Sequence, residues 1–390
     1  MTERKENIVM FPFMAQGHII PFLALALELE KKNGYTITFV NTRLNIKKLR
    51  PSFPPNSSIR LLEIPFNSSD HSLPPDTENT GSLPLLLHLI VISPALEPAF
   101  RDLISSIVLE HGRPPLCIIS DMFFGWSTKV THEFGAFRAI FNASGSYGMA
   151  VFHSLWLNLP YKKVNSEEFR MPGFLRGHQV HTKQLPEHFQ VAVPVRPILS
   201  SLGSKARVGD DAEATMHLCM KWLDSKPTNS VLYVAFGSQS APLPSRTIQL
   251  AIALEACGKN FIWVVWSPPS NSVTDHEHND GEWLSRGFES HIEDSNKGLL
   301  VQQWAPQLEI LSHKSLCVFL TYCGWNSVLE ALSNGVPMLS WPIGAEQNFN
   351  AKMLEEEIGL YVGVASGSSE INHKDWFVAK VFSLFWEHSF

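Results

Sequence analysis

At 390 residues, with 44% hydrophobic and 17% charged side chains, the chain exceeds what one core holds, since single cores stop growing near ~250–300 residues; two lobes are expected. A net charge of −6 excludes the basic face that nucleic acid or anionic lipid would require. Five cysteines, Cys117, Cys219, Cys257, Cys317 and Cys323, include no Cys-x-x-Cys pair, so neither a disulfide framework nor a zinc site is expected, and they read as buried thiols in a reducing compartment.

The charged stretch Met1 to Asn7 runs straight into a strand-like segment without an apolar leader, which predicts a cytoplasmic protein. Short β-branched runs then alternate with helical patterns: strand Ile8 to Phe13, helix Ile19 to Lys32, strand Tyr35 to Thr42, strand Ile59 to Pro65. Leu83 to Ile92 is too short to span a bilayer, which takes about 20 apolar residues, and reads as a core helix. A helix around Pro94 to Glu110, strand Leu116 to Ser120, another helix and strand Arg138 to Asn142 complete one doubly wound domain, expected over residues 1–195. Periodicity fails from Asn165 to Asp211, and Val193 to Pro197 followed by Ser200, Ser201, Gly203 and Ser204 reads as a linker, placed at 196–212.

A second series occupies 213–365: helix Ala214 to Leu223, strand Ser230 to Phe236, helix Ile248 to Cys257, strands Phe261 to Trp266, Gly298 to Gln303, Cys317 to Tyr322 and Val336 to Trp341, and helix Asn348 to Glu357. His276, Glu277, His278 and Asp280 lie in a polar loop and read as solvated residues, not metal ligands. Residues 366–390 carry a last, aromatic helical stretch. The fold class is therefore α/β with parallel sheets.

The chemistry concentrates between Trp304 and Gln347. A strand ending at Tyr322 meets a glycine turn, and Asn326 or Ser327 is expected to cap the next helix, so unpaired backbone N–H groups and a positive dipole end face the strand's carboxyl edge, a natural seat for a diphosphate. Trp304, Gly324 and Glu346 follow three different strands, where ligands of doubly wound sheets bind. The same junction is also generic architecture for this fold class. In the first domain, Gln16-Gly17-His18-Ile19-Ile20-Pro21 follows strand one, and Asp121 closes the Leu116 strand. A carboxylate on one imidazole nitrogen fixes the tautomer of a base; the bland alternatives are a structural histidine and an aspartate capping a helix.

Trp304-Ala305-Pro306-Gln307, Tyr322-Cys323-Gly324-Trp325-Asn326-Ser327, Glu330, Gly335-Val336-Pro337 and Ala345-Glu346-Gln347 together resemble the plant secondary product glycosyltransferase box of the UDP-glycosyltransferases. The resemblance spans roughly residues 6–365 and implies the GT-B fold, two Rossmann-like doubly wound domains facing a central cleft. It implies that Trp304 stacks on uracil, that Ala305 and Gln307 hold base and ribose, and that Glu330 accepts both ribose hydroxyls. Asn326, Ser327 and Ser238 are implied to hold phosphate, Glu346 and Gln347 the sugar, with Gly324 and Trp325 in the same set. The final glutamine implies a glucose preference. His18 is implied to be the general base and Asp121 its orienting carboxylate.

The expected reaction is inverting transfer from UDP-glucose to a hydroxyl of a small lipophilic acceptor. UDP-glucose is the donor substrate, with no separate cofactor, no metal, no nucleic-acid or membrane partner, and a monomeric state. The absence of any Asp-x-Asp pair agrees with metal independence. Phe13, Phe124, Trp126 and Phe141 suggest an apolar acceptor pocket. Departures from the family stand beside this: Tyr322, in the implied UDP-sugar-binding set, stands at a usual histidine that donates to the diphosphate, a bond its hydroxyl can also donate, while Cys317 at a usual glycine and Trp266 at a usual arginine add bulk or remove charge near the cleft. The middle near 165–195 is shortened, and the family's last helices are reduced to His373 to His388. The alternative reading is a degenerate homologue that at most binds UDP-sugar. A nicotinamide-dependent oxidoreductase is disfavoured because no Gly-x-Gly-x-x-Gly follows strand one.

Overall fold

Ile8 and Met10 face one apolar layer, and Val9 and Phe11 face another; a strand that alternates between two cores must be covered by helices on both sides. This strand, Glu6–Phe11 (β1), starts the first of two compact units in the computed structural model, Met1–Ala143 with Gln190–Val208 and Ser144–Phe189 with Gly209–Phe390. The structure describes residues 5–32, 34–79, 83–164, 166, 168–173, 179–181, 212–237, 244–265, 284, 287–302, 304–344, 346–358, 361–364 and 381.

In the first unit, helix Gln16–Glu30 (α1) leads to β2 (Tyr35–Thr42), α2 (Arg43–Leu49), β3 (Arg60–Ile64), α3 (Leu83–Ile92) and α4 (Glu97–His111). Then come β4 (Cys117–Asp121), α5 (Ser127–Glu133) and β5 (Phe137–Phe141). The sheet is parallel, in the order β3-β2-β1-β4-β5. Its order reverses between β1 and β4, so the loops after these two strands flank the switch point. Helix α4 ends at Gly112, whose left-handed φ of 70° closes the last turn without a Cβ penalty. Helix α3 buries Leu89 but leaves Val91 77% exposed, so it covers the core on one face only. Among the described residues no helix is long and apolar enough to cross a membrane.

The second unit opens with α6 (Ser146–Asn158) and a small antiparallel pair, β6 (Glu168–Arg170) with β7 (Gln179–His181), inside a stretch expected to lack regular structure. There follow α7 (Ala212–Asp224), β8 (Val231–Ala235), α8 (Pro244–Cys257), β9 (Asn260–Val265), α9 (Phe288–Ser295), β10 (Gly298–Gln302) and α10 (Gln307–Leu311). The series ends with β11 (Leu316–Thr321), α11 (Trp325–Ser333), β12 (Met338–Ser340), α12 (Gln347–Met353) and β13 (Tyr361–Gly363). The six-stranded parallel sheet runs β10-β9-β8-β11-β12-β13 and reverses between β8 and β11. Strand β8 alternates as β1 does, Leu232 and Val234 into one core, Val231, Tyr233 and Ala235 into the other.

Of the stretch 1–195 expected as the first domain, Ser144–Phe189 groups with the second unit, because α6 packs against α12. The linker at 196–212, apart from Ala212, lies outside the described residues. So do the loop carrying His276 to Asp280, Trp266, Ser238 and, apart from Val381, the C-terminal stretch 366–390.

Cys317 does not crowd the ligand-binding edge. It sits in the core at the opposite end of β11 from Tyr322. All five cysteines are free thiols, and Cys117 is only half-buried, against the expectation that each is buried. Burial pushes Cys219 from the ordinary 9.0 up to about 12, and Cys257 and Cys317 up to about 11. A thiol whose pKa is raised by folding holds its proton more tightly in the folded state. Its stabilising contribution is therefore complete below 9.0 and is lost as pH rises toward the folded value. The denaturant midpoint of the wild-type chain is expected to fall across this alkaline window, and to fall less steeply in Cys219→Ala; equal slopes would refute the assignment.

Candidate active site

The amino end of α1 and the carboxyl end of β4 meet at the switch point of the first sheet. There His18 Nδ1 lies 2.8 Å from Asp121 Oδ2. Asp121 is fully buried, and its carboxylate also accepts the backbone N–H groups of Phe13 (3.2 Å) and Phe123 (3.1 Å). A buried carboxylate is tolerable only with such partners. Because an ionised carboxylate only accepts, the His18 proton belongs on Nδ1 and the lone pair on Nε2, the arrangement a general base needs. The helix-capping alternative for Asp121 does not hold: α5 begins six residues later with Trp126 as its cap. Phe13 and Phe123 flank the imidazole, with ring centroids 5.7 and 5.4 Å away. Of the residues expected in an acceptor pocket, Phe124 packs on Phe11 and on Phe13, the half-buried Trp126 packs on Phe100 and Phe124, and Phe141 packs on Phe22.

In the second unit, α10 and α11 bring together residues twenty or more positions apart. Gln307, first in α10, donates from Nε2 to Glu330 Oε2 at 2.7 Å and to Ser327 Oγ at 3.1 Å, and accepts from Tyr233 Oη at 3.4 Å. All three of Gln307, Ser327 and Glu330 are buried. Glu330 thus places a buried carboxylate on α11, with paired oxygens that accept hydrogen bonds. Trp304 stands two residues beyond β10, and its indole Nε1 is buried without a partner among the described residues. Ala305 is buried beside it in sequence.

The turn from β11 into α11 differs from expectation in its cap. The helix starts at Trp325 and its cap is Gly324, so Asn326 and Ser327 lie in the first turn and do not cap it. The left-handed residue is Cys323, φ 64°, while Gly324 has φ −60°. Left-handed geometry in a residue with a Cβ costs on the order of 1–3 kcal/mol. It is sustained here by bonds from Cys323 N to Thr321 Oγ1 (3.2 Å) and from Asn350 Nδ2 to Cys323 O (3.1 Å).

Glycine is required at 324 for another reason. A Cβ there would collide with Cε2, Cζ and Oη of Tyr322, and one on Gly237, itself at φ 73°, would lie 2.5 Å from Tyr322 Cζ and 2.6 Å from its Oη. The phenol end is held between two glycines that follow neighbouring strands, β8 and β11. Gly324→Ala is expected to destabilise the chain by about 1–3 kcal/mol, the range for overpacking. Adding Tyr322→Ala should recover most of that loss in denaturation, whereas additive effects would break the contact assignment.

The chain as a whole has known relatives. Residues 114–369 match the family described as UDP-glucoronosyl and UDP-glucosyl transferase. The chain belongs to the UDP-glycosyltransferase family. It is 43% identical to UDP-glycosyltransferase 92A1 of Arabidopsis thaliana, over 93% of this chain and 85% of the relative. It is 36% identical to crocetin glucosyltransferase 3 of Crocus sativus, over 90% and 85%. Among solved structures it is similar to Glycyrrhiza uralensis UGT73P12 complexed with glycyrrhetinic acid 3-O-monoglucuronide, at TM-score 0.78 and 25% identity, covering 99% of this chain and 88% of that one. Phytolacca americana UGT2 complexed with UDP-2fluoro-glucose and pterostilbene matches at TM-score 0.73 and 25% identity, covering 97% and 90%. The fold of this glycosyltransferase is accordingly GT-B, built from the two Rossmann-like units.

Two residues expected at the sugar lie around the start of α12. Glu346 is its cap, and Gln347 Oε1 accepts the N–H groups of Ile343 (2.9 Å) and Gly344 (3.0 Å), which fixes the orientation of its amide. Trp325 and Asn326 are half-buried at the start of α11. Sequence reading missed Thr321, Phe123 and Asn350. For Asn350 a signal existed, since a fully buried asparagine inside a helix, three residues after Gln347, is a poor helix former with a reason to be there.

Proposed function

We propose that this UDP-glycosyltransferase transfers glucose from UDP-glucose, with inversion, to a hydroxyl of a small lipophilic acceptor, as a metal-independent cytoplasmic monomer. The observation that carries the donor half is the buried Gln307–Glu330–Ser327 network that joins α10 to α11. Trp304 offers a face for uracil, Glu330 offers acceptors to the ribose diol, and the α11 amides, with Asn326 and Ser327, receive the diphosphate. Gln347 and Glu346 receive the sugar hydroxyls, with Trp325 and Gly324 completing the cradle, and Ser238 adds a phosphate contact.

In the chemical step His18 Nε2 takes the proton from the acceptor hydroxyl while that oxygen attacks the anomeric carbon. The bond from that carbon to the phosphate oxygen breaks, and its electron pair leaves with UDP. A single displacement from the opposite face inverts the centre. Asp121 holds the imidazole tautomer and stabilises the imidazolium that forms. The acceptor class rests on the relatives: one is named for crocetin, and one solved neighbour holds pterostilbene.

The test is to incubate purified chain with UDP-glucose and a panel of phenolic and flavonoid acceptors, following UDP release and product mass. Acceptor-dependent UDP release with a product heavier by one glucose unit is the expected result. Release that ignores the acceptor, or none with any donor sugar, overturns the reading.

A further inference from the structure

The contacts of Tyr322 point beyond this reading while resting on its assignment of the donor site. Its ring packs against the apolar cluster that contains Phe236, Leu320 and Trp341, so the side chain is anchored in the core rather than held out toward solvent. From that anchor the phenol end reaches into the slot between Gly237 and Gly324. Gly324 is the cap of α11, and Gly237 is the turn after the neighbouring strand, so the slot lies at the helix start where the anion seat is built. An imidazole at this position would be shorter and could not reach as far.

We propose that Tyr322 is a specificity-determining residue whose phenol occupies the phosphate end of the donor site, so that the diphosphate of a ligand adds little to the affinity its uridine provides. Trp304, Gln307 and Glu330, which would hold base and ribose, keep their role. The clamp explains the glycine at 324, where the backbone itself demands none. Slow turnover with UDP-glucose follows from the same occupancy, because the leaving group and the phenol compete for one seat.

The experiment is calorimetric titration of the full chain with uridine and with UDP, for wild type, Tyr322→His, Tyr322→Ala and Tyr322→Phe. In wild type, UDP is expected to bind no more than about tenfold more tightly than uridine. Tyr322→His and Tyr322→Ala should widen that ratio by about tenfold or more, the scale of relieved overpacking. Tyr322→Phe keeps the ring and should keep the wild-type ratio, and uridine affinity, steady across all four, reports an intact fold. A ratio unmoved in both opened variants overturns the proposal and leaves the donor-site reading standing. Weaker UDP binding in Tyr322→Phe alone overturns it too, by making the hydroxyl a phosphate donor. Failure of all four proteins to bind uridine or UDP overturns the donor-site reading and this inference with it.

Discussion

His18→Ala is expected to lower kcat by about 10²–10⁴-fold, the range a positioned general base contributes. The imidazole lies 2.8 Å from a fully buried carboxylate and between the rings of Phe13 and Phe123, so alanine removes the base without uncovering the core. UDP affinity should stay at its wild-type value, since the proposed donor network runs through Gln307, Ser327 and Glu330. Because Asp121 acts only through His18, the two should behave as one unit: Asp121→Asn lowers kcat, but adding it to His18→Ala lowers it little further. Asparagine retains one acceptor oxygen, whereas alanine would strip partners from the buried amides of Phe13 and Phe123, at a cost of about 1–3 kcal/mol for each. Turnover in His18→Ala equal to wild type, in a protein that does transfer sugar, removes the base assignment.

The parts of this molecule readable from sequence are those whose signal is local. Strand β2 runs over the expected Tyr35 to Thr42, and the other expected strands lie within a residue or two of their place, because continuous apolar runs between helical patterns are how a sheet buried on both faces is written. Helix α6 went unseen because Gly148 breaks its helical pattern. That glycine is there for a distant partner: a Cβ on it would lie 2.9 Å from Asn350 Oδ1 and 3.1 Å from Glu346 Cβ. The same holds at the β11–α11 turn. The sequence shows a glycine turn after Tyr322 but not that Cys323 is the residue that turns left-handed, held by Thr321 and by Asn350, 27 positions away. Pairings such as His18 with Asp121, 103 positions apart, had support from strand order and from resemblance. The clamp on Tyr322 had none, since two glycines on neighbouring strands become walls of one slot only when the sheet forms.

Glu330→Gln is the change expected to weaken UDP most while leaving the fold in place. The carboxylate sits on α11 and accepts the Gln307 amide at 2.7 Å, with Ser327 Oγ accepting from the same nitrogen at 3.1 Å. An amide has the same shape but replaces one acceptor oxygen with a donor, so it cannot serve Gln307 and both ribose hydroxyls together. Hydrogen bonds to a charged group contribute about 1.5–3 kcal/mol, and losing one corresponds to a UDP affinity lower by roughly 10- to 100-fold. The buried Gln307 amide still finds Ser327 and the remaining Glu330-position oxygen, which is why the melting temperature should move little. That separation is the useful readout, because a purely structural carboxylate would lower the melting temperature and spare affinity, and calorimetry with thermal denaturation distinguishes the two. UDP binding unchanged in Glu330→Gln would mean that the carboxylate serves the packing of α10 on α11 and not the ribose.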